Sequence, residues 1–279
     1  MKTIIGIVLS LTLTAAGADL TAQVFKDSSL EANVRNFIFG ADPSKPLTQD
    51  QLSHVYLVSA SNVPIKDLTG LESCPNLNTI YLTGSQVSDL TPLSKLANLE
   101  QLTVSGGQIR DLKPLAGLTH LRYLDLSLNQ ISDLTPLASL KDLQTLKLPG
   151  NSITDLVPLQ GLTSLQSLYL DGNQVSDLKP LADLKSLQTL SIKQNRVSDL
   201  TPLTSLTAWR SLYLDQNQVS DLTPLVTMVQ PDRQPIKGVT PFWIVSLRGN
   251  PLSAQARSRD LPELQKRAFD VIADRLRAG

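Results

Sequence analysis

The stretch "ISDLTPLASLKDLQTLKLPGN", Ile131 to Asn151, crowds Asp133, Leu134, Pro136 and Leu137 into five positions. A carboxylate beside a proline can belong to an active site, or it can be punctuation that turns a chain. Recurrence decides between them. Asp67, Asp89, Asp111, Asp133, Asp155, Asp177, Asp199 and Asp221 stand 22 residues apart, and a Leu follows each. Pro sits three residues after seven of these aspartates, and Gly70 takes its place in the first copy. A catalytic carboxylate repeated at this interval with no partner base has no mechanism to serve. The phrase is structural.

A strict period in the twenties with an L-x-x-L-x-L-x-x-N core is the signature of leucine-rich repeats. Leu121, Leu124, Leu126, Asn129 and Ile131 show it in one copy. The spacing predicts an α/β solenoid, a right-handed parallel β superhelix with short helical turns on its convex side. Leu124-Asp125-Leu126 alternates in and out, as a strand must. Asp133 is expected to cap a short helical turn, with Pro136 in the first turn, where its missing N–H costs little. Leu134, Leu137 and Leu140 should point inward. Asn129, Asn151, Asn173, Asn195, Asn217 and Asn250 follow the strands, where a buried amide can satisfy the backbone of adjacent coils. Val63, Ser85 and Gly107 replace that Asn in the first three copies, so that end should be less regular.

The chain has 279 residues, 41% hydrophobic and 4% aromatic, so its core is aliphatic. Residues 1–18 have the layout of a signal peptide, one Lys, an apolar run and then Ala16-Gly17-Ala18. Cleavage there leaves 24 basic against 25 acidic residues. That balance argues against a nucleic-acid partner, whose binding needs a basic footprint. No membrane span is expected after cleavage, and export to the periplasm, envelope or medium is. A single Cys cannot form an internal disulfide. Residues 19–50 read as a helical cap. Ser28 and Glu31 make a capping-box pattern, Leu30, Val34, Phe37 and Ile38 an apolar face, and Thr48 with Gln51 a second box. Residues 51–252 hold about nine repeats. The ninth Asn arrives 11 residues late, which places an inserted loop near 230–241. Residues 253–279 form the other cap, with Leu261, Leu264, Ala268, Val271, Ile272 and Leu276 at helical spacing.

The repeats, together with the "LEANV" helix before them, resemble the internalin-type bacterial leucine-rich repeat proteins over roughly residues 24–265. The end "NPLSAQARSRDLPELQKR" is similar to the terminal cap of many exported members. In those the segment turns at a Gly and finishes as a strand. Here Ala268-Phe269 stands at that Gly, so a continued helix is expected. Internalins often carry an immunoglobulin-like domain and a wall anchor. Neither is evident here, so the resemblance does not imply host-cell invasion.

No enzymatic activity, cofactor or metal is expected. His54 and His120 lie three periods apart, hence about 14 Å or more across the sheet, too far to share a zinc ion. Cys74 falls in a column of buried leucines and reads as a small hydrophobe. What remains is the sheet face, which lines the concave side of such a solenoid and is its usual recognition surface. Four of the five Tyr fall on it. Tyr123, Asp125, Lys147, Tyr169, Asp171, Lys193, Tyr213, Asp215 and Arg248 form the candidate patch for a protein partner, on a chain taken as a monomer. The alternative is a rigid spacer or a carbohydrate-facing envelope component with no specific protein ligand. Mass spectrometry of the exported protein should find Asp19 as its first residue, and a chain retaining Met1 would overturn the leader assignment.

Overall fold

The computed structural model describes residues 23–40, 45–229, 244–267 and 270–273. The leader and the 230–241 insertion lie outside the described residues. Ten parallel strands form one sheet in sequence order. They are β1 (Leu57–Ser61), β2 (Thr79–Thr83), β3 (Gln101–Ser105), β4 (Tyr123–Asp125), β5 (Thr145–Lys147), β6 (Ser167–Tyr169), β7 (Thr189–Ser191), β8 (Ser211–Tyr213), β9 (Ile244–Ser246) and β10 (Asp270–Ile272). Register holds the 22-residue step, so Leu102, Leu124, Leu146, Leu168, Leu190 and Leu212 stack across neighbouring strands. All are fully buried, each worth roughly 1.5–3 kcal/mol of transfer free energy. Trp209 occupies the column of Leu121, Leu143, Leu165 and Leu187 and is buried with them.

On the opposite side seven successive coils, from Leu71–Ser73 to Thr201–Ser205, each make a short 3₁₀ turn, such as Thr135–Ser139. The aspartates cap these turns from one position earlier than expected. Leu134 begins the turn, and the Asp133 carboxylate accepts the Thr135 N–H at 2.8 Å. The same Asx-type bond recurs at 2.8–2.9 Å from Asp67 through Asp221. Pro cannot donate to the helix, and here it need not. Gly70 breaks the pattern for a steric reason. Its φ is +110°, and a Cβ there would lie 2.5 Å from the Phe25 ring and 2.6 Å from the Val24 carbonyl. The N-terminal segment is plugged into the first coil at that point.

The asparagines join coil to coil. Asn151 Nδ2 donates to the Leu126 carbonyl of the preceding coil and to the Leu148 and Pro149 carbonyls of its own, while its Oδ1 accepts the Ile131 N–H. Asn129, Asn173, Asn195 and Asn217 repeat the pattern. Asn250 keeps it across the insertion by bonding Val219 N–H and the Leu214 carbonyl. The first coils differ, though not by losing order. Their strands β1 to β3 are five residues long instead of three. The buried Ser85 hydroxyl there has no hydrogen-bond partner among the described residues. At Gly107 a Cβ would lie 2.6 Å from the Val87 carbonyl, so the close backbone approach excludes an Asn.

The N-terminal cap is helix α1 (Ser28–Phe39) followed by α2 (Gln49–Ser53). Asp27 rather than Ser28 caps α1, accepting the N–H groups of Ser29 and Leu30, and Glu31 pairs with Arg35 at 2.8 Å. Asp27 wins because its other oxygen also accepts Lys66 N–H from the first coil. Leu30 and Val34 are buried, but Phe37 is 49% exposed and Phe39 packs inward in its place. Thr48 and Gln51 form the expected capping box. Helices α3 (Thr223–Met228) and α4 (Leu261–Arg267) lie at the other end. The continued terminal helix is not found. Val271 and Ile272 belong to β10, which pairs with β9. The open edge of β9 presents unpaired backbone groups, and a strand satisfies them where a helix cannot. Asn151→Ala strands one N–H and two buried carbonyls, so chemical denaturation should show a loss of roughly 2–4 kcal/mol.

Candidate binding face

The outward positions of β4 to β9 and the residues just after them carry the candidate patch. Tyr123, Asp125, Lys147, Tyr169, Asp171, Lys193, Tyr213 and Asp215 are half-buried, and Arg248 is exposed. Tertiary structure groups them by chemistry. Lys147 Nζ lies 5.1 Å from the centroid of the Tyr123 ring and 5.6 Å from that of Tyr169, clamped between two aromatic faces. Lys193 Nζ lies 4.8 Å from the Tyr213 ring. Such contacts are worth about 0.5–1 kcal/mol at exposed sites. Lys147 is held above the ordinary lysine value, first by the Tyr123 hydroxyl and then, against burial, by the nearby Tyr123, Asp125 and Tyr169 charges.

The aspartates serve the sheet. Asp171 Oδ1 accepts the Ser191 hydroxyl at 2.6 Å and the Lys193 N–H at 2.8 Å, both from the next coil. Asp215 makes the matching pair with the Ser246 hydroxyl and the Arg248 N–H. Asp125 instead accepts the Ser127 N–H and hydroxyl of its own coil. The alternation of sign therefore does not come from ion pairs across the face. Among the described residues no carboxylate lies within ion-pair distance of Lys147, Lys193 or Arg248.

Two features escaped the repeat frame. Three large apolar side chains, Phe37, Tyr56 and Leu57, are exposed on the first coil and cap, beside Tyr81, which the frame already places on the sheet face. Tyr56 and Leu57 fill positions held by Asn78 and Thr79 one repeat later, a substitution visible in the alignment of copies. Leu128 is 64% exposed with φ +57°, at a position that Gly84, Gly106, Gly150 and Gly172 fill in other coils. A bulky residue there is a backbone outlier. The remaining reactive types lie apart. His54 and His120 are exposed, with His54 Nδ1 2.7 Å from the Asp50 carbonyl oxygen. Cys74 is buried, and burial pushes its thiol up to about 12. No group of three metal-ligating side chains occurs among the described residues.

Residues 97–139, 141–183 and 185–227 each match the family described as leucine rich repeats (2 copies). No curated protein gives a significant match. Among solved structures, internalin C2 of Listeria monocytogenes is 35% identical with a TM-score of 0.70, covering 80% of this chain and 94% of that one. Internalin F of the same organism is 26% identical with a TM-score of 0.73, covering 94% and 79%. The ectodomain of an Arabidopsis thaliana membrane receptor kinase, solved with Casparian strip integrity factor 2, shares the fold at 19% identity. Its TM-score is 0.60, covering 77% of this chain and 26% of that one.

Removing the Asp215 side chain leaves the Ser246 hydroxyl and the Arg248 N–H without an acceptor. Asp215→Ala should lower stability by roughly 1–3 kcal/mol, while Asp215→Asn, which keeps an acceptor oxygen, should lose less than half of that. Urea titration of both variants measures the difference.

Proposed function

The chain belongs to the internalin-type leucine-rich repeat proteins, and on that premise we propose that it is an exported, non-catalytic recognition module that holds a protein partner on the concave sheet face. The observation that carries this reading is the makeup of β4 to β9. Three tyrosines and three basic side chains stand on a face that the leucine core does not use. Tyr and Arg dominate binding hot spots because they offer large contact area and directed polar groups. Both lysines lie against ring faces, and among the described residues no carboxylate stands at ion-pair distance from them, so their charge stays available to a partner.

Export is the reading of the leader, and no helix among the described residues is long and apolar enough to cross a membrane. The test is capture of partners by the mature protein from envelope and culture medium, alongside the double variant Tyr169→Ala/Tyr213→Ala. The expected outcome is a specific protein whose affinity falls at least about tenfold in the variant, with little change in Tm. An affinity equal in both forms would place the partner elsewhere, and recovery of nothing specific would favour a spacer.

A further inference from the structure

Charge is unevenly divided along the sheet face. The outward positions of β1 to β3, taken with the residue before each strand, hold one carboxylate, Glu100, and no cation. The corresponding positions from β4 onward to Arg248, just after β9, hold Arg122, Lys147, Lys193, Arg210 and Arg248. Their carboxylates are Asp125, Asp171 and Asp215. Five cations against three carboxylates leave this half positive, on a mature chain with 24 basic and 25 acidic residues.

The charges do not cancel locally. Asp125 is the register partner of Lys147, yet Lys147 turns to the rings of Tyr123 and Tyr169. Asp171 and Lys193 stand in the same relation two residues further along, and so do Asp215 and Arg248. Among the described residues none of the five cations has a carboxylate at ion-pair distance. Each aspartate instead already accepts two hydrogen bonds, from a Ser hydroxyl and a backbone N–H. The hydroxyl hydrogens of Tyr123, Tyr169 and Tyr213 have no acceptor among the described residues. The face is therefore rich in donors and positive charge, and its own carboxylates are occupied. It lacks an acceptor-rich, negative surface.

The interleaved aspartates narrow the kind of anion. Nucleic acid carries one charge per roughly 1.7 Å of its axis, and so dense a polyanion would set charges against Asp125, Asp171 and Asp215 as well. A folded or extended protein can place carboxylates opposite the cations and neutral or donor groups opposite the aspartates. Arginine suits the first task, since its planar fork meets a carboxylate through two parallel hydrogen bonds.

We propose that the C-terminal half of the concave face, from β4 to β9, docks an acidic surface of its protein partner. This rests on the reading of that face as a protein-binding surface. Arg122, Lys147, Lys193, Arg210 and Arg248 meet the partner's carboxylates, and the tyrosine hydroxyls donate between them. The cations extend over five strand intervals, about 24 Å, so the complementary charge is spread over a patch and not gathered in one pocket.

The test probes a printed array of short random peptides with the labelled mature chain. Retained peptides should contain Asp and Glu at least about twice as often as the array average, and retention should fall as salt rises. Lys147→Glu/Lys193→Glu should cut retention of those peptides about tenfold or more. Lys147 is wedged between rings, so Arg122→Glu/Arg210→Glu supplies a second reversal on exposed side chains and should weaken retention at least about threefold. Lys95→Glu/Lys113→Glu makes the same change of net charge at exposed positions of the back turns and should leave retention unchanged. No retention, a retained set without acidic enrichment, or equal losses in face and back variants overturns the proposal. Binding to heparin without acidic enrichment on the array overturns it in favour of a glycan. If enrichment fails while Tyr169→Ala/Tyr213→Ala still weakens capture of a protein, only the acidic class is wrong. If both fail, the concave-face reading falls with it.

Discussion

A buried asparagine amide ties each coil to the one before it from Asn129 onward, and the rest of the solenoid depends on that tie. The leucine columns supply most of the buried area, but apolar burial has no direction. Stacked leucines alone would tolerate a coil that slides or rotates. Asn151 tolerates neither, because it must reach the Leu126 carbonyl and Ile131 N–H of one coil and the Leu148 carbonyl of the next. In a dry interior an unpaired polar group costs more than a good pair contributes, so the amide sets the register. The late ninth coil shows its strength. The chain inserts 11 residues, and Asn250 still returns to the same partners.

With one rim held by asparagines and the back by Asp-Leu-x-Pro-Leu turns, the outward sheet positions carry few structural duties. They hold Ser, Thr, Tyr, Lys, Asp and Arg in no fixed order. Some have been drawn into the framework all the same. Asp171 and Asp215 brace the following coil, and Ser191 and Ser246 are buried by the same bonds. What stays available is the aromatic and cationic set, and it is concentrated at the C-terminal half. The N-terminal half offers a different surface, the exposed Phe37, Tyr56, Leu57 and Tyr81.

The repeat was legible because its partners sit at constant offsets along the chain. Asp133 and Thr135, or Asn151 and Ile131, are related by numbers that a single sequence displays eight or five times over. The caps were harder to read because they occur once. Ser28 and Asp27 both suit a helix start, and the choice fell to the one whose second oxygen also meets Lys66, 39 residues away. Gly70 announced an exception without its cause, which is the ring of Phe25 lying where a Cβ would stand. The candidate face was half legible. Its members followed from the frame, but the clamp of Lys147 between two rings and the diversion of Asp171 into the sheet needed side-chain positions.

The tail separates the two sources of information most clearly. Leu261, Leu264, Val271 and Ile272 fit one stripe of a helix, and nothing local forbids it. Yet the chain leaves α4 and lays Val271 and Ile272 beside β9, because that strand would otherwise end the sheet with bare N–H and C=O groups. The amino-acid sequence by itself determined the period, the inward columns and the turns, since each is enforced by partners a fixed number of residues away. Only the tertiary structure decided how the two ends close and which outward charges remain free, since those outcomes depend on what each open surface lacks once the coils are stacked.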